Sequence, residues 1–188
     1  MSFLQRCKQV YFFITEPYRD LSQSVKLYWH SYGKWKSFIL SPFLHLAFVI
    51  SYLARPLWNP ATNEASVWYN LSLSVLPNLL GFTLGGYAIL LAFGDSRFRD
   101  KISEQDEGDD EPTLFMELNG TFVHFIILQA IAILLAVIGT AGTIRTGLFA
   151  WFGFTCFLYT VLTAISAAFA VLEISDLFQT MKNRKHLD

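Results

Sequence analysis

Four polar side chains interrupt otherwise apolar stretches of this 188-residue chain: His45, Asn78, His124 and Gln129. Such residues are costly in hydrocarbon, and where they occur they often mark ion paths or proton relays. Two histidines with no carboxylate or cysteine close by in sequence do not make a metal site. The expectation is that both are neutral and hydrogen-bonded to a neighbouring helix. No catalytic residue, metal ligand or cofactor motif emerges. There is no HExxH for zinc and no phosphate-binding loop, and the absence of CxxC argues against disulfide-generating membrane enzymes. The glycines of GFTLGGYA (81–88) lie within an apolar run and cannot cradle phosphate. No apolar run carries a central Asp, Glu, Lys or Arg, which disfavours a small proton-coupled exporter. Cys7 and Cys156 are too few for a disulfide framework and read as free thiols.

Two patterns remain as candidate interaction sites. Ser74, Asn78, Gly81, Gly85, Ala88 and Ala92 recur at alternating steps of four and three, drawing a narrow stripe of small and polar residues along one helix. In lipid no hydrophobic force joins helices, so close backbone approach through small residues does that work. The stripe packs helices within the chain, or it forms a subunit interface or a pore lined by Asn78. Shorter lines, Gln129-Ala132-Ala136-Gly139 and Gly153-Cys156-Thr160-Thr163-Ala167-Ala170, are expected to pack helices together. The second pattern is SEQDEGDDEPT (103–113), which holds six acids and no base. Its acids lack calcium-loop spacing. It is a solvated linker, or it docks a basic partner through Asp106, Glu107, Asp109, Asp110 and Glu111, or it excludes anionic lipid.

The elements that must position these residues are membrane helices. The chain is 53% hydrophobic and 15% charged, against about 25% charged in soluble domains. Four apolar runs stand out, at 37–54, 68–93, 122–141 and 148–172. Each approaches or exceeds the roughly 18–20 residues that cross about 30 Å of hydrocarbon. Pro42 and Pro77 are expected inside helices, and the Asn78 amide is placed to satisfy the carbonyl that Pro77 frees. Lys and Arg set the orientation: six precede residue 37, three lie in 94–121 and three in the tail after 172, against Arg55 and Arg145 alone in the two remaining loops. The positive-inside rule then puts both termini in the cytoplasm. Trp29 and Trp35 fall at the inner interface, and Trp58, Trp68 and Trp151 at or near the outer one. The expected fold class is an all-α integral membrane protein with four transmembrane helices in a domain at 37–172. An acidic cytoplasmic loop spans 94–121 and a cytoplasmic tail 173–188. Residues 1–36 form an amphipathic interfacial segment in two pieces broken by Pro17, with apolar faces Phe3-Cys7-Val10-Ile14 and Tyr18-Leu21-Val25-Tyr28-Trp29.

The segments LPNLLGFTLGGYAILLAFGDSRFR (76–99) and LNGTFVHFIILQ (118–129) resemble a group of small bacterial four-helix membrane proteins. Within that group, size and layout are similar to the membrane subunits of Kiwa anti-phage defence systems. The resemblance implies a homo-oligomeric component of the bacterial inner membrane, paired with a soluble cytoplasmic effector that acts on phage DNA. It carries no catalytic residue and implies no direct nucleic-acid binding by this chain. Two functions follow as expectations: a non-enzymatic sensor or scaffold that recruits the effector, or an oligomeric pore that depolarises the membrane.

Overall fold

The structure, a computed structural model, describes residues 3–60, 67–92, 102–103, 111–142 and 146–184. Its main elements are α-helices: α1 (Phe3–Ser31), α2 (Lys34–Ile39), α3 (Pro42–Leu53), α4 (Arg55–Trp58), α5 (Trp68–Ala92), α6 (Leu114–Thr140) and α7 (Gly147–Arg184). No strand occurs among the described residues. Stretches within α5 (Trp68–Ile89), α6 (Leu114–Thr140) and α7 (Gly147–Thr180) are long and apolar enough to cross a bilayer. At 38 residues, α7 spans roughly 57 Å at 1.5 Å per residue. It therefore outruns the hydrocarbon and carries the segment after residue 172 onward as helix.

The first apolar run departs from expectation. Pro42 does not sit inside a helix but opens α3, with Ser41 extended before it (φ −61°, ψ 119°). Proline lacks the N–H that would bond back to Phe38, and its ring disfavours helical backbone at the preceding residue. The run is thus split into α2 and a 12-residue α3, which is about 18 Å long and too short to cross alone. Pro17, by contrast, does not break α1, which continues through it for 29 residues. At helical spacing Tyr18, Leu21 and Val25 share one line with Tyr28, yet the first three are exposed.

The start of α6 shows how sequence fixes a boundary. Thr113 is its N-cap, and the hydroxyl accepts a hydrogen bond from the Met116 N–H at 3.3 Å. Glu117 in the first turn complements the helix dipole. From there α6 packs along α5 and α7, and α7 also holds α3. The largest core cluster gathers Trp68, Leu76, Ala132, Ala136, Ala150, Phe154 and Phe157. Trp68 has no exposed surface, so it is a core residue at the end of α5 and not a lipid-facing interfacial anchor. Its ring is seated against Gly139 and Gly153, where a Cβ would come within 3.0 Å and 2.6 Å of ring carbons. The small-residue lines of α6 and α7 do pack inward. Gln129, Ala132, Ala136 and Gly139 are buried, as are Gly153, Thr160, Thr163 and Ala167, with Cys156 and Ala170 half-buried.

Candidate functional site

The stripe on α5 points the other way. Ser74, Asn78, Gly81, Gly85, Ala88 and Ala92 are all exposed, and a Cβ built at Gly81 or Gly85 would meet nothing within 4 Å. The opposite face of α5, through Trp68, Ser72, Leu76 and Thr83, is the buried one. Among the described residues, the stripe therefore takes no part in packing this chain's own helices. Asn78 donates from Nδ2 to the Ser74 carbonyl at 3.2 Å. It does not reach the carbonyl of Leu73, four residues before Pro77, which the proline frees. Ser74 likewise donates to the Leu71 carbonyl at 2.9 Å, so both polar groups on the stripe are partly satisfied along their own helix.

The polar groups buried in the bundle serve as ties between helices. Gln129 Nε2 donates to Thr83 Oγ1 at 2.9 Å, and Thr83 donates to the Leu79 carbonyl at 2.7 Å, joining α6 to α5. Gln129 Oε1 and the Trp68 indole N–H are buried with no hydrogen-bond partner among the described residues. His124 is buried where α1, α6 and α7 meet. Its Nδ1 pairs with the Tyr28 hydroxyl at 2.6 Å and its Nε2 with the Tyr159 hydroxyl at 3.3 Å. Tyr32 stacks on the imidazole with ring centroids 3.7 Å apart. With both ring nitrogens engaged and no carboxylate among these partners, His124 is a buckle that fastens the end of α1 to the bundle. Beside it, Gly120 allows the Ser31 backbone to lie where a Cβ would be 2.6 Å away. Burial, with the nearby Tyr159 phenol adding to it, pushes the Tyr28 phenol up to about 12, and burial raises Tyr32 as well. Both phenols therefore stay protonated at neutral pH.

Sequence reasoning placed His124 against a neighbouring helix but missed its tyrosine partners. They come from segments 96 and 35 residues away, and no local spacing links them. His45 is exposed on α3 and lies apart from this cluster. Of the acidic candidates, Asp106, Glu107, Asp109 and Asp110 lie outside the described residues. Glu111 is exposed and lines a polar cleft with Glu117, Lys34, Lys36 and Ser166. No group of three or more metal-ligating side chains occurs among the described residues.

Fold and site together define an all-helical protein with helices built to cross a membrane and an unpartnered small-residue face on one of them. No protein-family model, curated protein or solved structure matches the chain.

Proposed function

We propose that this chain is a non-enzymatic scaffold of the bacterial inner membrane that self-associates through α5 and recruits a soluble cytoplasmic effector. The observation that carries the reading is the outward stripe of α5. Its six small or polar residues are all exposed, while the comparable lines on α6 and α7 are largely spent on internal packing. A face of that kind supports close approach by a second copy. Four crossings with both termini in the cytoplasm complete the proposal, with α2 and α3 together making the first crossing as a broken helix. The resemblance of 76–99 and 118–129 to Kiwa membrane subunits points to anti-phage defence as the setting.

The test is native mass measurement in detergent, followed by affinity capture from the native host. An oligomer that dissociates in Gly85→Leu, and a co-purifying soluble protein, are the expected results. A monomeric wild type removes the scaffold reading. Ion current from the purified protein in planar bilayers, lost in Asn78→Leu, establishes the pore instead.

A further inference from the structure

A groove of about 400 Å³ runs between α3 and α6 on the surface of α7. Its walls are Leu44 and Phe48 on one side and Ile127 and Ile131 on the other, with Thr155 and Cys156 on the floor. Trp29 and Trp35 line it where α1 meets α2, and Trp151 lines it at the far end of the α3–α7 contact. The frame is rigid. Trp29 and Trp35 meet edge to face at 4.8 Å, Phe38 meets Tyr159 at 5.8 Å, and Phe48 packs on Trp151 at 5.7 Å. Aromatic rings packed against one another frame the slot.

Its size and lining select the occupant. Water needs polar partners that this lining does not supply. Benzene occupies a cavity of about 150 Å³, so 400 Å³ corresponds to roughly sixteen carbons. We propose that the groove holds the acyl chain of one anionic phospholipid, with its phosphate at the Trp29–Trp35 end. The charge at that end fits. Lys26, Lys34 and Lys36 are exposed within a turn of the two indoles, and residues 21–63 contain no acid. Lys34 and Lys36 also border the separate polar cleft that contains Glu111 and Glu117, which leaves Lys26 as the lysine outside that cleft. Each lysine near an anionic headgroup favours it by roughly fivefold.

The proposal rests on the membrane-spanning reading of the helices. The experiment uses delipidated full-length protein in detergent, with phosphatidylglycerol and phosphatidylcholine added in competition and bound lipid counted by native mass spectrometry. One phosphatidylglycerol per chain, at least fivefold preferred, is expected. Cys156→Trp fills the floor and should lose it, and exchanging Lys26, Lys34 and Lys36 for Gln should erase the preference. A readout that does not depend on the folding of a filled groove is thiol protection. In a Cys7→Ser background, added phosphatidylglycerol should slow maleimide labelling of Cys156. Equal retention of the two lipids, or unprotected Cys156, overturns the proposal. So does undiminished binding by a Cys156→Trp protein of wild-type melting temperature. Alkaline carbonate separates the two levels: a chain it strips from membranes sinks both readings, whereas a carbonate-resistant chain that binds no lipid sinks this one alone.

Discussion

At Gly139 and Gly153 the missing side chain is what lets the Trp68 ring enter the core. Gly153→Ala forces a methyl into ring carbons, and overpacking of this kind costs about 1–3 kcal/mol. Thermal melting in detergent should show that loss. Gly86 is the contrast. A Cβ there meets nothing within 4 Å, so Gly86→Ala should leave the melting temperature unchanged or raise it, by up to about 1 kcal/mol of helix propensity. His124 makes a different prediction. His124→Phe keeps a ring for Tyr32 to stack on but takes the partner from the Tyr28 hydroxyl and leaves the Tyr159 hydroxyl only its 3.5 Å contact with the Tyr32 hydroxyl, at a cost of about 1–3 kcal/mol for a buried polar group left unsatisfied. The end of α1 should loosen, and trypsin should cut at Lys26 sooner than in wild type. The same contact responds to base. The Tyr28 phenol is raised to about 12 in the folded chain, against 10 ordinarily. A group whose folded pKa is raised contributes stability that is fully present below pH 10 and fades as pH climbs toward 12. Release of α1, read from the mobility of a spin label placed at exposed Ser24, should therefore increase across that window in wild type. In Tyr28→Phe it should be greater at neutral pH and respond less to base.

Helices differ in how much of their role the residue pattern discloses. The apolar runs of α5, α6 and α7 were legible because twenty or more residues without a central charge leave few alternatives. The lines of small residues were equally visible, but pattern alone could not say which way each one faced. Gly81 and Gly85 look the same in sequence as Gly139 and Gly153, and only the position of Trp68 separates an inward glycine from an outward one. Prolines misled in both directions. Pro42 sits after Ser41 in extended backbone and starts a helix, whereas Pro17 is carried within one. Sequence fixes what a proline removes, one N–H, but its neighbours decide whether the helix tolerates the loss. The outward stripe makes the prediction at this scale. A Cβ at Gly85 meets nothing within 4 Å among the described residues, so the monomer carrying leucine there should fold and melt as wild type does, while backbone approach by a second copy is blocked. Cross-linking in membranes, before any detergent, should show loss of the oligomer in Gly85→Leu with unchanged expression. An intact oligomer would move the interface off α5.

The two ends of the bundle are unequal. The described loop segments between α3 and α5 and between α6 and α7 are short, whereas at the other end the start of α6 meets the end of α1 at Gly120 and the later part of α7 at Leu118. Twelve of the fourteen Lys and Arg residues fall at that end in the proposed four-crossing topology, in which the positive-inside rule assigns it to the cytoplasm. A reporter active only outside the cell, fused to either terminus or inserted at residue 105, should stay silent, and activity from any of the three would reverse the topology. On that side the chain presents opposite charges at close range. Lys34 and Lys36 share a cleft with Glu111 and Glu117, and the acidic run extends through Asp106, Glu107, Asp109 and Asp110. The stripe on α5 offers no charged ring to select ions, so the charged surface is the better candidate for action. A partner held there by charge should be released by salt, because the Debye length falls from about 10 Å at 0.1 M to about 3 Å at 1 M. Neutralising Asp106, Glu107, Asp109, Asp110 and Glu111 together should abolish capture of the partner while membrane insertion and the α5 oligomer persist. Capture that survives both high salt and the neutralised loop would leave the exposed apolar line of α1, through Tyr18, Leu21 and Val25, as the docking surface to test next.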